Sequence, residues 1–356
     1  MKKVVTITGI RPDFIRMSEI FKKLDENFNH ILVHTGQHYD KLLSDVFFDE
    51  LKIRKPDYNL GIGAEGKTHY QQQADLSVKI IELLRDESIY PDIILFLGDS
   101  NSVLASVPLR KEGYKIGHIE AGMRSGDKRM FEEINRTICD HCSDLLFVYH
   151  EDYKQNCIRE NISEENIFVV GNTIVEPCKP IAAALLKEEE SINHILLDIH
   201  RPENFKDKIR LREIIQYAIM CQKKFNIPVK FLKFKRTFEY LKDFGIDFSE
   251  LSVIDMMSYK KYLEETYYSA FVISDSGTAQ EEAALLGVPV VVPRDFTERP
   301  QSVEAGCSYM LDVVDIESWK NSFEWVVLSL YNIMNTGWLG DGTTSDRIIG
   351  ILKEKL

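Results

Sequence analysis

The sequence predicts an α/β protein made of two doubly wound domains with a ligand cleft between them. Short apolar runs alternate along the chain with longer helical segments, a pattern typical of parallel sheets that helices cover on both faces. The 356 residues exceed the usual domain size of roughly 100–200 residues, so two domains are expected.

The predicted strands fall into two series, separated near Gly171-Asn172-Thr173 and by the charged run Lys187–Glu190. The first series comprises Val4–Thr8, Ile31–His34, Ile93–Leu97, Lys115–Ile119, Leu145–Val148 and Ile167–Val170. The second comprises Ile195–Ile199, Val229–Leu232, Ser252–Ile254, Phe271–Ser274 and Val290–Val292. Helical patterns cover Asp75–Arg85, Glu132–Leu146 and Ala279–Leu286.

These series place a first domain at 1–172 and a second domain at 173–340. The glycines of Gly340-Asp341-Gly342 then interrupt the chain before another helical segment. We expect residues 341–356 to form a helix that crosses back to the first domain.

Charge and hydropathy exclude several classes of protein. A formal net charge of −12 argues against nonspecific binding to nucleic acid or to an anionic membrane. No stretch approaches the ~18 apolar residues of a membrane span, and the apolar run Val4–Thr8 ends at Gly9, too early for a signal peptide. A cytoplasmic protein is expected.

Six cysteines are scattered along the chain, and only Cys139 and Cys142 have the spacing of a redox or zinc half-site. No second Cys/His pair lies at the spacing of a zinc finger. Because both fall in the helical pattern Glu132–Leu146, with Ile134, Ile138, Cys142 and Leu145 on one face, we interpret them as small apolar helix residues. No zinc site is expected from these cysteines.

Three predicted strands end in a titratable residue followed by turn residues. They are the segments Gly98-Asp99-Ser100, His118-Ile119-Glu120-Ala121-Gly122 and Asp198-Ile199-His200-Arg201. The carboxyl ends of strands in open parallel sheets face the ligand crevice, so Asp99, Glu120 and His200 are expected to form one site. Glu132 adds a carboxylate at a helix start, and carboxylates facing each other in a cleft suit acid and base chemistry.

Ser276-Gly277-Thr278 follows a predicted strand and opens a helix. The N–H groups and hydroxyls of such a turn bind anions, and Glu282, one turn later, could accept hydrogen bonds from ribose hydroxyls. Ordinary helix capping is the alternative. Arg11, in the first strand–helix turn, is either a phosphate ligand or a solvated side chain, and the arginines of 294–299 either contact an anion or form a salt-bridged loop.

Taken in order, the motifs resemble those of the non-hydrolysing UDP-N-acetylglucosamine 2-epimerases, from residue 4 to about 350. The matching motifs are Gly9-x-Arg11-Pro12, Thr35-Gly36-Gln37-His38, Gly98-Asp99-Ser100-x-Ser102, His118-Ile119-Glu120-Ala121-Gly122-x-Arg124, Glu132-Glu133-Ile134-Asn135-Arg136, Gly171-Asn172-Thr173, His200-Arg201-x-Glu203-Asn204, Asp275-Ser276-Gly277 with Glu281-Glu282, and Thr297-Glu298-Arg299-Pro300.

The resemblance implies two Rossmann-like doubly wound domains of the glycosyltransferase-B-like fold, with UDP in the interdomain cleft and a homodimer as the assembly. It implies a UDP-sugar as the partner, with no cofactor and no metal. In the family's mechanism a base removes the C2 proton while UDP leaves C1, and the 2-acetamidoglucal is then reprotonated on the opposite face before UDP is re-added.

The resemblance also assigns roles to residues. The positions that match the family's catalytic groups are Asp99, Glu120, Glu132 and His200. The residues assigned to UDP or substrate are Arg11, Arg16, Arg136, Asn172, Arg201, Ser276, Gly277, Glu282 and Arg299. The domain 1–172 thus carries most catalytic acids, and 173–340 binds UDP.

Two departures bear on regulation and substrate. Asp40 stands where the regulated bacterial members have Gln, and Gln71–Ser77 lacks the Arg expected there. We therefore expect no activation by a second UDP-sugar, and a modified UDP-sugar for surface polysaccharide becomes a candidate substrate. A glycosyltransferase of the same fold and a hydrolysing 2-epimerase are the alternatives, although the latter usually opens with Ala after the Arg, where this chain has Pro12.

Overall fold

The computed structural model describes residues 1–37, 45–63, 67–185, 192–330, 332 and 334–356. The chain divides into two compact units, one of Met1–Pro177 with Leu339–Leu356 and one of Cys178–Trp338. The sequence placed the division at 172, and the boundary between the compact units, after Pro177, falls inside the helix Val175–Leu185. The first unit is re-entered at Leu339 instead of 341.

The first unit holds a seven-stranded parallel sheet in the order β3-β2-β1-β4-β5-β6-β7. Its strands are β1 (Lys3–Thr8), β2 (Asn29–His34), β3 (Tyr58–Asn59), β4 (Ile93–Leu97), β5 (Ile116–Ile119), β6 (Leu145–Val148) and β7 (Ile167–Val169). Its helices are α1 (Arg11–Asn27), α2 (Asp45–Leu51), α3 (His69–Asp86), α4 (Ser106–Lys111), α5 (Glu132–Cys142) and α6 (Glu151–Arg159). The helix α7 (Val175–Leu185) follows β7.

The second unit holds a six-stranded parallel sheet in the order β10-β9-β8-β11-β12-β13. Its strands are β8 (His194–Asp198), β9 (Val229–Leu232), β10 (Ser252–Ile254), β11 (Ser269–Ser274), β12 (Val290–Val292) and β13 (Ser308–Met310). Its helices are α8 (Pro202–Phe205), α9 (Lys208–Phe225), α10 (Lys235–Phe244), α11 (Tyr259–Tyr267), α12 (Gly277–Leu285), α13 (Pro300–Glu304) and α14 (Ile316–Ser329). The helix α15 (Thr344–Lys355) belongs to the first unit.

Both sheets confirm the predicted doubly wound α/β class. In each, the first strand of the unit lies beside the fourth, β1 beside β4 and β8 beside β11. Strand order reverses at these pairs, and such a switch point is where open α/β sheets bind ligands. The central strand β4 is apolar throughout and every one of its residues is buried, as expected where helices cover both faces of a sheet.

Two features of the fold differ from the sequence prediction. The helix predicted over Glu132–Leu146 ends at Cys142, and Leu145 begins β6, so the apolar face built on Ile134 and Leu145 is wrong: Ile134 is exposed. The buried residues of α5 are Asn135, Arg136, Cys139 and Asp140, a largely polar set. The edge strands β3 and β13 are short and were not predicted.

No helix in the described ranges is both long enough and apolar enough to span a lipid bilayer.

Candidate active site

The titratable residues predicted from the strand ends form two clusters, one at the switch point of each sheet. We call Asp99, Glu120, Glu132, Arg16 and Arg136 the acid cluster, in the first unit. We call His200, Asp198, Asp275, Ser276 and Glu282 the histidine cluster, in the second unit.

Glu120 directly follows β5 and is held in an unusual conformation. Its φ is +72°, in the left-handed region that non-glycine residues rarely occupy. Its side chain is buried and forms an ion pair with the equally buried Arg16 of α1, and the Tyr149 hydroxyl donates to Glu120 Oε2 at 3.3 Å. Strain of this kind concentrates at functional sites, so Glu120 is a strong candidate for a reacting group.

Asp99 follows β4, the strand that pairs with β5, and residues of α5 hold it in place. Arg136 pairs with the Asp99 carboxylate, while Asn135 Nδ2 donates to the Asp99 carbonyl at 2.9 Å. The carboxylate keeps about a quarter of its surface exposed, and the Arg136 side chain is 2% exposed. The ion pair thus fixes an acid that a ligand can still reach.

Glu132 and Glu133, the paired acids at the start of α5, have different surroundings. Glu133 accepts hydrogen bonds from the backbone of Ser125 and Gly126, each at 3.1 Å, and so anchors the preceding loop. Glu132 is partly exposed at the first position of the helix. Only Glu132 is therefore placed for acid or base chemistry.

Behind the acid cluster lies a buried ionic network that the sequence did not reveal. His118 Nδ1 lies 2.6 Å from Asp140 Oδ1, and His118 Nε2 lies 2.7 Å from the Gly98 carbonyl. Arg124 donates to Asp140 at 2.8 Å and to Glu160 at 2.7 Å. Burial alone would lower the pKa of His118, but Cys139 and Asp140 beside it raise that pKa well above its ordinary value.

The first strand–helix turn is organised by Asp13, whose carboxylate accepts the N–H groups of Gly9 at 2.7 Å and Ile10 at 3.1 Å. Burial raises the pKa of Asp13 to about 7, against the lowering effect of these two hydrogen bonds. Arg11 lies next to this turn, with its guanidinium 5.2 Å from the ring centre of Phe47.

Asn172 is nearly inaccessible and forms a turn within the first unit. Its Oδ1 accepts the Ile174 N–H at 3.0 Å, and its N–H donates to the Leu339 carbonyl at 2.9 Å. These contacts join β7 to the returning segment, so the described contacts of Asn172 are structural.

In the histidine cluster, His200 is oriented by two acids. Its Nδ1 lies 2.8 Å from Asp198 Oδ1 at the end of β8, and 3.5 Å from Asp275 Oδ1 beyond β11. Burial lowers the pKa of His200, but Asp198 and Asp275 outweigh that effect, so the pKa is raised above its ordinary value. The ring stays about a third exposed, which leaves Nε2 as the atom available to a ligand.

Asp198, His200 and Asp275 are the one group among the described residues that could hold a metal ion. Asp275 accepts N–H groups from the backbones of His200 and Arg201 and from the Asn204 side chain, each at 3.0 Å. Because three donors already occupy the oxygens of Asp275, this group is better suited to orienting His200 than to ligating a cation.

Ser276 caps α12, and its hydroxyl accepts the Ala279 N–H at 3.3 Å. The Arg299 guanidinium lies against the Cα of Gly277, so closely that a Cβ there would overlap it. Arg299 is itself buried and pairs with Glu281 and Glu298, each at 2.6 Å. The salt-bridged loop, one of the two alternatives that the sequence allowed, is therefore present. Its Arg299 and Glu298 side chains lie against Gly277 at the N-terminus of α12.

Glu282 is buried one turn into α12. It lies close enough to Tyr262 to contribute, after burial and Asp198, to a strong rise in the pKa of that phenol. Arg201, a residue after His200, lies 3.9 Å from Glu298.

The structure thus places the predicted acids and their arginines in the first unit, and His200, Ser276 and Glu282 in the second. Asp198, Tyr149, Tyr262 and His118 were missed as site residues. For Asp198 and His118 the sequence signal was adjacency, since each lies two residues before a predicted one. Asp40 and His38 lie outside the described residues. The segment Gln71–Ser77 lies in α3.

Comparison with known proteins gives a consistent result. A family model described as UDP-N-acetylglucosamine 2-epimerase matches residues 22–353. The UDP-N-acetylglucosamine 2-epimerase of Methanocaldococcus jannaschii is 33% identical, over 98% of both chains. The UDP-2,3-diacetamido-2,3-dideoxy-D-glucuronate 2-epimerase of Pseudomonas aeruginosa is 35% identical, over 87% of this chain and 88% of that protein.

Solved structures agree. The Methanocaldococcus jannaschii UDP-GlcNAc 2-epimerase in complex with UDP-GlcNAc and UDP superimposes with a TM-score of 0.89, at 33% identity, over 99% of this chain and 100% of that one. A lipopolysaccharide outer core galactosyltransferase, 13% identical, has a TM-score of 0.55 over the full length of both chains and shows the fold alone. The glycosyltransferase-B-like fold is confirmed.

Proposed function

The chain belongs to the UDP-N-acetylglucosamine 2-epimerase family and is therefore an isomerase, and from this premise we propose that it inverts C2 of a UDP-N-acetylhexosamine by elimination and re-addition of UDP. The observation that carries the proposal is the pair Asp99 and Glu120. Two carboxylates at adjacent strand ends, each fixed by its own buried arginine, can exchange a proton at a sugar carbon.

In the elimination, a carboxylate of the acid cluster takes the C2 proton. The C–H electron pair becomes the C1–C2 double bond, and the C1–O bond breaks with its electrons on the UDP phosphate. Re-addition reverses these changes, with a second acid of the cluster protonating C2 from the opposite face. We assign these two roles to members of the set Asp99, Glu120 and Glu132.

We assign the UDP end of the substrate to the histidine cluster. The N–H groups at the start of α12 favour a phosphate, because a helix N-terminus carries partial positive charge. His200, whose raised pKa favours the imidazolium, stabilises the negative charge that UDP gains as it leaves. Glu282 accepts hydrogen bonds from the ribose.

The substrate class extends beyond UDP-N-acetylglucosamine in our proposal. A relative 35% identical to this chain is named for a 2,3-diacetamido uronic acid, so a modified sugar that feeds surface polysaccharide is a candidate. Activation by a second UDP-sugar is not expected. The homodimer that the resemblance implies and the cytoplasmic location expected from charge and hydropathy are proposals of the same kind.

The experiment is to incubate the protein in D₂O with a panel of UDP-N-acetylhexosamines, including diacetamido and uronic acid forms, and to follow C2 by NMR. We expect one substrate to reach an epimer equilibrium with deuterium at C2. Release of free sugar indicates the hydrolysing class, and turnover only with an added acceptor indicates a glycosyltransferase. Epimerisation without deuterium at C2 contradicts the elimination mechanism.

A further inference from the structure

We propose that His118 is a positioning residue for this reaction: a doubly protonated imidazolium that fixes the backbone of Asp99 relative to that of Glu120. The inference rests on the proposed function, because it concerns the two carboxylates assigned there to C2 chemistry. His118 is completely buried and does not belong to the acid cluster.

The charge state follows from the hydrogen-bond geometry. Each ring nitrogen faces an oxygen, the Gly98 carbonyl at 2.7 Å and Asp140 Oδ1 at 2.6 Å. A carbonyl can only accept, and the ionised carboxylate that Arg124 pairs with can also only accept. Both ring nitrogens must therefore carry hydrogen, which makes the ring a cation.

The first of these hydrogen bonds reaches the peptide that precedes Asp99. Gly98 has a φ of +73°, so β4 ends there. Its N–H donates to the Ile119 carbonyl at 3.0 Å, and its own carbonyl accepts from His118. Gly98 is thus held on both sides by the strand that carries Glu120, two residues beyond His118.

The second hydrogen bond reaches the turn that follows Glu120. Asp140 Oδ2 accepts the Gly122 N–H at 3.1 Å and an Arg124 N–H at 2.8 Å. Burial opposes ionisation of Asp140, but His118 and Arg124 lower its pKa. The groups facing the imidazolium are Cys139 and Asp140 of α5, with Arg124 beyond them.

The consequence is that one buried ring ties the residue before Asp99 to the segment after Glu120. Both strands end at these turns, where Gly98 and Glu120 have positive φ. A misplacement of about 1 Å in reacting groups costs about 10²-fold in rate. Loss of the ring should therefore act on turnover and spare UDP affinity.

The test compares His118→Phe and His118→Gln with wild type on the epimerised substrate. We expect kcat to fall by about 10²-fold in the Phe variant, with the UDP dissociation constant unchanged within twofold. The Gln variant should recover part of that loss, because its amide N–H can still donate to Gly98. His194→Gln, at an equally buried histidine of β8, is the matched control and should keep wild-type kcat.

Ring-nitrogen NMR at pH 8 tests the charge state of His118 directly, and the split between kcat and UDP affinity separates positioning from a purely structural role. We expect both His118 nitrogens to be protonated in wild type. If the His118 variants do not fold, Asp140→Asn, which preserves the shape of the side chain, serves instead: it should lower kcat on the order of tenfold and leave UDP affinity unchanged.

Wild-type kcat in a folded His118→Phe or Asp140→Asn variant, or a ring with one unprotonated nitrogen, overturns the inference and leaves the proposed function standing. Absence of turnover by wild-type protein on the whole substrate panel contradicts the proposed function, and with it the positioning role, whatever the NMR result.

Discussion

Arg16 and Arg136 each have an ion-pair partner in the acid cluster. The family resemblance assigned both to UDP or substrate, and in the structure each pairs with a carboxylate of the acid cluster. A nearby cation favours the ionised form of an acid, and a bidentate donor also restricts its orientation. We infer that both arginines act on the substrate through Glu120 and Asp99.

At the residue scale, the first prediction concerns those two acids. Asp99→Asn and Glu120→Gln should each lower turnover by about 10²–10⁴-fold, the usual contribution of a positioned acid or base. UDP affinity should change far less, because the amides alter the group that meets the sugar. Deuterium exchange at C2 and calorimetry with UDP measure the two effects separately. Full activity in either variant removes that residue from the proton transfers.

The second residue-scale prediction concerns Glu282. Glu282→Ala should weaken UDP binding by about tenfold or more, since hydrogen bonds to charged groups contribute about 1.5–3 kcal/mol. Calorimetry with UDP measures the change. The matched control is Glu304→Ala on α13 of the same unit, at an exposed side chain, which should bind UDP normally. Equal affinity in both variants excludes Glu282 from the ribose site.

At the scale of elements, the buried faces of α5 and α12 carry polar side chains that form hydrogen bonds and ion pairs. The buried residues of α5 hold Asp99, Gly122 and His118, and those of α12 include Glu281, which pairs with Arg299. Apolar periodicity is a poor guide to the buried face of such helices, because the face turned inward is not apolar. That is why the sequence placed an apolar stripe on α5 and extended the helix into β6.

Substitutions at two separate glycines, one in α12 and one in α15, test the role of the α12 N-terminus. Gly277→Ala should lower both UDP affinity and the melting temperature, because the new Cβ overlaps the buried Arg299 and Glu298 side chains. Gly350→Ala in α15 has no atom within 4 Å of its Cβ. That control should stabilise the protein by about 0.5–1 kcal/mol through helix propensity alone. Normal UDP binding by Gly277→Ala would contradict the proposed phosphate site.

Much of the fold follows from the sequence because central strands are continuous apolar runs. Ile93–Leu97, Leu145–Val148 and Val290–Val292 are confirmed at both ends. The edge strands Tyr58–Asn59 and Ser308–Met310 are too short and too polar to give such a signal. In the site, strand-end residues were predictable from the parallel topology, whereas Tyr149 and Tyr262 reach it across long sequence separations that no local pattern encodes.

At the scale of the whole molecule, buried histidines couple stability to pH in opposite directions. Burial lowers the pKa of His34 and of His194 to about 4, so both are neutral when folded. The unfolded chain protonates them below about 6.5. Their stabilisation is therefore present above pH 6.5 and is lost as pH falls from 6.5 towards 4. His118, with a raised pKa, contributes stability below about 6.5 that is lost as pH rises through its folded value.

Each histidine with a lowered pKa should reduce the free energy of unfolding by about 1.4 kcal/mol per pH unit as the pH falls from 6.5 to 4. The measurement is the thermal midpoint of wild type and His194→Gln across this range. The variant should show a shallower pH dependence than wild type. If the thermal midpoints of the two proteins change with pH in parallel, the pKa of His194 is the same in the folded and the unfolded chain, which contradicts the prediction.

The first unit is discontinuous in sequence, and this has a consequence for synthesis. Its α15 packs on α1 and buries Ile348, Ile349 and Leu352, and Lys23 pairs with Asp346 at 2.5 Å. A ribosome finishes every residue of the second unit before it reaches α15. Although domains usually fold in order of emergence, the second unit here can reach its native state first, while the nascent first unit still exposes an apolar face of α1 to chaperones.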